Sequence, residues 1–491
     1  MGAHRLLAVL ALFGVGCRNG NLRVVRVTLT ADPQSLDFGS TAPGTAVARS
    51  VTVNNLGRDS AHLRELLLEG GQAAFFSASP AAPITIEGNA SATLTVTYRP
   101  LLDGSHSARL LIHSDASNNE LPILLTGRSD VCGGESSEKS LRVVSAGGDF
   151  TCALESSGHV KCWGRNKFGQ LGDGTTNNRA TPIDVLGLPS DIKTVSAGYG
   201  QACVLRQSGR VLCWGTQGDN FSGSRPHPTP TDIPGLANVT AIAVGEEHTC
   251  VLTTAGGVKC WGTGEDGLEP LGDGLPANHG DADNPEPIDV VGLSSGAVAL
   301  ASSETNCVLT NTGAVFCWSG RNAGSPRGIP PTPIDVFGPT SGVVALSVGD
   351  VQTCVLTSGG GVKCWGQNFS GQLGNNSTVD VLSGSVDVVG LSDAVAVSVG
   401  GVHACALTSA GRVRCWGANG SGQLGDGTSS DRLTPVDVLG LTSTVRAISA
   451  GYGHTCALTC DNRIQCWGKN DEGGLGDGSM TNRLTPVDVR F

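Results

Sequence analysis

Every tryptophan in this chain, seven in all, directly follows a cysteine: Trp163, Trp214, Trp261, Trp318, Trp365, Trp416 and Trp467. Successive ones lie 51, 47, 57, 47, 51 and 51 residues apart. A period of this size marks a repeat architecture in which one supersecondary unit stacks on the next. Seven copies suit closure into a propeller. Composition supports the same class: the 491 residues include 71 glycines and are 15% charged, against about 7% glycine and 25% charged in an ordinary globular chain. Each interior glycine costs a helix ~1 kcal/mol relative to alanine, so the chain reads as turn-rich and mostly β. Hydrophobic residues still reach 39%, enough for a large core. Beyond the N-terminus no run reaches about 18 consecutive apolar residues, which excludes a polytopic membrane protein. A net charge of −11 with no basic block argues against a nucleic-acid surface.

The unit from Ala394 to Val438 shows the repeat clearly. Four short apolar or β-branched runs, Val395–Val399, His403–Thr408, Arg412–Trp416 and Pro435–Val438, are separated by Gly, Asn, Asp and Ser, the punctuation of strands. Four strands make one blade. Blades pack on both faces, so their strands exceed simple alternation in apolar content.

The second and third strands form a hairpin whose cysteines are ten positions apart in every repeat. The pairs are Cys152 with Cys162, Cys203 with Cys213, Cys250 with Cys260, Cys307 with Cys317, Cys354 with Cys364, Cys405 with Cys415, and Cys456 with Cys466. Six residues after each first cysteine stands Gly158, Gly209, Gly256, Gly313, Gly360, Gly411 or Asn462. Gly and Asn tolerate the positive φ that a bulged hairpin turn needs. That register sets the two cysteines opposite one another, close enough for an intra-blade disulfide; the alternative is a buried free thiol acting as a small hydrophobe. Cys132 and Cys460 remain. Chain direction puts the hairpin turns and the start of each first strand at one end of the propeller, so both cysteines fall on that face, at the seam of the first and last blades. A Cys132–Cys460 disulfide would then staple the ring, worth about 4–5 kcal/mol on the chain-entropy model, alongside pairing of the terminal strand Pro486–Arg490 with blade one.

The run from Cys415 to Thr428, CWGANGSGQLGDGT, followed by Ser449–Leu458, SAGYGHTCAL, resembles the regulator of chromosome condensation repeat. The match recurs at Cys162–Thr175 and Cys364–Asn375, and in part at Cys466–Ser479, and spans residues 141–491. The resemblance implies a seven-bladed propeller. Blades two and four depart from the pattern: Phe221–Pro230 and Arg321–Pro331 lack GQLGDG, and Ser319 replaces the Gly after Trp. Residues 21–129 resemble the immunoglobulin-like modules of the Hydin and major-sperm-protein type, through Leu36–Gly39, Ser50–Gly57, Val96–Pro100 and Leu124–Gly127. Alternating runs such as Thr93–Tyr98 and Arg109–His113 support a β-sandwich independently. The fold class expected is therefore all-β, an immunoglobulin-like sandwich (21–129), a linker (130–140) and a seven-bladed β-propeller (141–491).

Residues 1–17 read as an export signal. Arg5 precedes the apolar run Leu6–Val15, too short to span a bilayer. Leu12–Cys17 resembles a bacterial lipoprotein cleavage site, with Gly14 where Leu is preferred, so Cys17 is the expected lipidation site; plain cleavage is the alternative. Removing Cys17 from the 17 cysteines leaves an even number, as an oxidising compartment favours. The expected location is the outer membrane, periplasm or cell surface, otherwise the medium.

Enzymatic motifs fail their context. Gly262–Gly267 fits GxGxxG but no helix follows. Gly292–Gly296 fits GxSxG without a strand–turn–helix elbow. Asp173, Asp273, Asp426 and Asp477 in Leu-Gly-Asp-Gly read as turn residues rather than calcium ligands. His248, His403 and His454 sit singly on separate blades, too dispersed for a metal. No catalytic set, metal or cofactor is expected. The first-to-second and third-to-fourth strand loops share the face opposite the hairpin turns, and there the repeat varies: Phe150, Tyr199, Gln201, His248, Asn306, Gln352, His403, Tyr452 and His454 are the candidate binding residues. The expected function is a non-enzymatic, exported, lipid-anchored, monomeric scaffold that binds a protein or cell-surface ligand. The resemblance adds two alternatives, guanine-nucleotide exchange on a small GTPase such as Ran and inhibition of a secreted enzyme such as a β-lactamase. A hydrolase is the competing class.

Overall fold

A computed structural model describes residues 27–70, 72–101, 104–132, 141–216, 226–246, 248–262, 271–273, 286–319, 332–336 and 342–491. The leader with Cys17, most of the linker, most of the GxGxxG run and most of the divergent outer loops of blades two and four lie outside the described residues.

The N-terminal unit is a two-sheet sandwich. One sheet orders Leu29–Asp32, Val47–Asn55, Ser91–Tyr98 and Phe76–Ser79; the other orders Ser35–Thr41, Glu120–Ser129, Gly104–Ser114, Ala61–Glu69 and Ile84–Ile86. The alternation seen in Thr93–Tyr98 turns Leu94, Val96 and Tyr98 inward, onto a core that includes Val51, Val53, Leu110, Ile112, Ile123 and Leu125. Each fully buried aliphatic side chain contributes about 1.5–3 kcal/mol. Tyr98 Oη and His106 Nδ1 hydrogen-bond at 2.6 Å inside this core, so the buried polar ends satisfy each other.

Seven four-stranded antiparallel sheets follow, at 141–184, 192–232, 239–289, 297–335, 343–387, 394–437 and 445–488, each of four consecutive strands. In blade six the strands are Ala394–Val399, His403–Thr408, Val413–Gly417 and Arg432–Asp437, within a few residues of the expected spans. All six residues of His403–Thr408 are buried, because neighbouring blades cover both faces of the sheet.

Within every hairpin the two cysteines are directly opposed in register and bonded. Cys152 joins Cys162 in blade one, Cys203 joins Cys213 in blade two, and Cys250 joins Cys260 in blade three. Cys307 joins Cys317 in blade four and Cys354 joins Cys364 in blade five. Cys405 joins Cys415 in blade six, and Cys456 joins Cys466 in blade seven. Their Cα atoms are 4.0–4.2 Å apart. The seven turn residues from Gly158 to Asn462 all take positive φ.

Ring closure differs from the expectation. The terminal strand Arg483–Asp488 pairs with Ile464–Gly468 of its own blade, through Gly468↔Arg483, Cys466↔Val487 and Gln465↔Asp488, not with blade one. The repeat begins on the innermost strand at Leu141, so every blade is completed from contiguous chain, and among the described residues no strand crosses the seam. Side chains and loop backbone close the ring instead, and they do so as at an ordinary blade junction. The Gln423 carbonyl of blade six accepts from Trp467 Nε1 at 2.9 Å and from Thr455 Oγ1 at 3.0 Å, both of blade seven. At the seam, the Gly474 carbonyl of blade seven accepts from Trp163 Nε1 and Thr151 Oγ1 of blade one, both at 2.9 Å. Gly425 (φ 69°) lies on the Trp467 indole, where a Cβ would come within 2.8 Å of Nε1. The recurring Cys-Trp, Thr-Cys and Gln-Leu-Gly elements are therefore the two halves of one inter-blade joint.

Cys132 and Cys460 are disulfide-bonded across 328 residues. Gly44 lies beside Ser409 in the blade-six hairpin turn, and Val344 of blade five packs against the sandwich core. The sandwich thus sits on the hairpin face and leaves the opposite, loop face uncovered by it.

Candidate functional site

The loop face is organised about the propeller axis. Each first strand runs out there into a small residue: Gly147, Gly198, Gly245, Ser303, Gly349, Gly400 and Gly451. A Cβ on Gly147 would fall 2.3 Å from the Gly198 carbonyl oxygen, one on Gly198 2.1 Å from that of Gly245, and one on Gly451 2.3 Å from that of Gly147. Real Cβ contacts are never this short, so the absence of side chains at the six glycines is what lets these strand ends meet. The resulting depression offers about 90 Å³, below the ~300 Å³ at which small-molecule pockets begin.

The next residues form the rim. Tyr199 and Tyr452 meet edge-to-face with ring centroids 5.9 Å apart, a geometry aromatic pairs prefer. Arg165 lies 5.9 Å over the Tyr199 ring. Lys469 Nζ donates to Asp149 Oδ1 at 2.9 Å, and Arg165 stands 3.7 Å from the other oxygen of Asp149. Burial works against the Lys469 ammonium, but the bond to Asp149 outweighs it and raises the lysine above its ordinary pKa. Across the mouth stand Glu246 and Asp350, the latter accepting from Ser303 Oγ at 2.8 Å. Burial, then the Asp350 carboxylate, Tyr199 and Glu246, push the Tyr452 hydroxyl above the usual tyrosine value. It stays protonated at neutral pH.

Seven of the nine candidate binding residues lie elsewhere. Phe150, Gln201, His248, Asn306, Gln352, His403 and His454 are all buried between blades. Six of them are the first residue of a second strand, whose side chain enters the blade interface rather than solvent. Asn306 is a register correction. The blade-four loop is one residue shorter, so Thr305, opposite Ser319, occupies the equivalent place, and Asn306 takes that of Thr249. Tyr199 is half-buried and Tyr452 is 45% exposed; these two reach the surface. Arg165 and Lys469, which the sequence pattern did not single out, join them because the residue after Cys-Trp-Gly starts the loop that runs beside the rim.

The histidines are joints. Thr455 donates its hydroxyl to Gln423, so the 2.8 Å contact to His403 is an Nε2–H donated to Thr455 Oγ1. His454 donates in the same way to Thr151 across the seam, at 2.8 Å. His248 Nε2 reaches Asn306 Oδ1 at 2.7 Å. Burial lowers all three pKa values, to about 4 for His248 and His454 and about 3 for His403. The Gln352 amide likewise donates to the His403 carbonyl at 3.1 Å.

The loop aspartates are structural. Asp426 accepts from Asn419 Nδ2, the Thr428 backbone and hydroxyl, and Arg432 Nε at 2.8–3.0 Å; Asp173 and Asp477 repeat the pattern. Burial opposes their charge, but these bonds outweigh it and hold the carboxyls below the usual range. The Gly292–Gly296 segment is a turn between blades three and four, with Leu293 in the core. Among the described residues there is no group of three His, Cys, Asp or Glu side chains placed to hold a metal.

Fold and mouth together define a rigid, disulfide-laced seven-bladed propeller that presents a loop face beside a covered hairpin face. The regulator of chromosome condensation (RCC1) repeat matches residues 142–170, 192–223, 239–267, 343–372, 394–423 and 445–473, and a second form of it matches 157–205 and 410–458. This chain belongs to that repeat family. A HYDIN/CFA65/VesB-like Ig-like domain matches residues 28–128. The ultraviolet-B receptor UVR8 of Arabidopsis thaliana is 30% identical over 365 residues, covering 71% of this chain and 81% of the receptor. The human E3 ubiquitin-protein ligase HERC2 is 30% identical over 358 residues, 68% of this chain but 7% of the ligase. Of solved structures, Prp20p from Saccharomyces cerevisiae has a TM-score of 0.55 at 20% identity, over 64% of this chain and 80% of that one. Human WBSCR16 has a TM-score of 0.55 at 20% identity, over 70% and 92%.

Proposed function

We propose that the chain is a non-enzymatic scaffold that binds a protein partner on the loop face of its propeller, exported and held at the membrane by a lipid on Cys17. The observation that carries the binding role is the rim: two tyrosines with Arg165, Lys469, Asp149, Glu246 and Asp350 surround a small axial depression. Tyr and Arg are the side chains that dominate protein interfaces. The relatives named above carry the repeat in a receptor and in a ubiquitin ligase, which supports a framework serving recognition rather than one reaction. For export, the support is the leader sequence and eight disulfides, which persist in oxidising compartments. With the sandwich on the hairpin face, a lipid at the N-terminus would turn the rim away from the membrane.

Capture from an envelope fraction, comparing wild type with Tyr199→Ala/Tyr452→Ala, tests the binding role. Partners retained by wild type and weakened at least ~10-fold by the double variant, a loss of about 1.4 kcal/mol, are expected. Equal recovery would remove the rim from the account. Guanine-nucleotide exchange and inhibition of a secreted enzyme such as a β-lactamase are finer alternatives, and no geometry among the described residues favours either. Intact mass of the membrane-extracted protein tests the anchor: a diacylated Cys17 is expected, and an unmodified mature chain contradicts it.

A further inference from the structure

The outer loops of blades one, five, six and seven are built on one plan, and blade five breaks it at two exposed positions. In each loop a buried Asn (Asn166, Asn368, Asn419, Asn470) donates its amide to the carbonyls of the loop it organises. The residue following this Asn is exposed in all four blades: Lys167, Phe369, Gly420 and Asp471. The residue eleven positions after the Asn is exposed as well: Asn177, Val379, Ser430 and Thr481. Three blades fill both places with polar residues or glycine. Blade five has Phe369, 58% exposed, and Val379, 71% exposed. The Asn368 amide, bonded to the Val379 carbonyl at 3.1 Å, holds the two ends of the loop together. Folding does not ask for apolar groups here, since the same loop closes with polar ones in the other blades.

The loop that carries the apolar pair starts next to the mouth segment. Gln367, two residues before Phe369, donates its backbone N–H to the Val351 carbonyl at 2.9 Å, which ties the start of this loop to the residue that follows Asp350. Asp350 belongs to the acidic side of the mouth with Glu246, and Glu304 lies in the loop between them in sequence. The cations of the rim, Arg165 and Lys469, stand on blades one and seven. Both cations are paired with or close to Asp149, and the exposed aromatic stands on the blade that carries Asp350, in a chain of net charge −11.

We propose that blade five is the contact centre of the loop face, where Phe369 and Val379 pack against an apolar side chain of a basic protein segment whose Lys or Arg is received by Asp350 and its acidic neighbours. This rests on the loop-face reading above and narrows it to one blade and one partner chemistry. An aromatic anchor flanked by complementary charge is the usual make-up of an interface centre.

A random peptide library displayed on phage, selected against the immobilised full chain, tests this without knowledge of the natural partner. Enriched peptides are expected to combine Lys or Arg with Leu, Phe or Trp. Their affinity should fall at least ~10-fold on Phe369→Ser/Val379→Ser, a loss of about 1.4 kcal/mol, and should weaken with added salt, as charge pairing requires. Both substituted side chains are exposed, and a melting curve coincident with wild type establishes that the variant is folded. An empty selection, acidic or purely polar peptides, or affinities unchanged by the double variant overturn the proposal. Peptides that depend on Tyr199 and Tyr452 but not on Phe369 and Val379 overturn it while sparing the loop-face reading; peptides indifferent to both pairs overturn both.

Discussion

Thr455 does two jobs with one hydroxyl: it donates to the Gln423 carbonyl and accepts Nε2–H from His403. Thr455→Val keeps the shape and removes both bonds, leaving a buried imidazole N–H with no acceptor, which costs about 1–3 kcal/mol. Urea denaturation should show that loss; a midpoint equal to wild type would mean the joint is not cooperative. The three joint histidines also set a pH dependence. Their folded pKa values of about 3 to 4 lie below the ordinary ~6.5, so the unfolded chain takes up protons first as pH falls. Stability is then full above about pH 6.5 and declines as pH drops toward 4. Asp173, Asp426 and Asp477, held below the usual carboxylate range, extend the loss to more acidic pH. Urea midpoints measured from about pH 7.5 to 4.5 should fall below 6.5, and less steeply in His403→Gln; a midpoint that rises on acidification contradicts the assignment. None of this was visible in sequence. A histidine at a strand start reads equally as a loop tip, and only the neighbouring blade shows that its ring is inside.

At the scale of the element, the hairpins were legible and the ring closure was not. The ten-residue cysteine spacing with Gly or Asn six positions in fixes register, because strand period and turn length leave little choice. Pairs such as Cys203 with Cys213 and Cys307 with Cys317 hold it even in blades two and four, where the outer loops diverge. The terminal strand had two compatible neighbours, blade one and its own blade, and no local pattern separates them. The hairpin disulfides also differ from the long one in access. The fourteen hairpin cysteines, from Cys152 to Cys466, are all buried, whereas Cys132 and Cys460 are half-buried. Mild reductant with an alkylating probe should therefore label Cys132 and Cys460 first, as peptide mapping would read; earlier labelling of hairpin cysteines would refute this order. Removing one hairpin pair, as in Cys405→Ala/Cys415→Ala, should cost about 3 kcal/mol from loop entropy and lower the urea midpoint accordingly.

For the whole molecule, two faces have different duties. The hairpin face carries the sandwich and the Cys132–Cys460 link, while the loop face gathers the tyrosines, the charged rim and the exposed Phe369. Chain direction alone assigned these ends, which is why the division into faces was readable while the identity of the contact residues was not. The seven strand-end positions, six of them glycine, pack against one another around the axis, and binding to a preformed surface changes backbone little. The decisive measurement is hydrogen–deuterium exchange of the full chain with and without a partner captured by wild type. Protection is expected at the rim loops around residues 148–149, 199, 350 and 452 and at the blade-five loop 367–379, with the hairpin turns and the sandwich unchanged. Protection confined to the hairpin turns or to residues 27–130 would contradict the account.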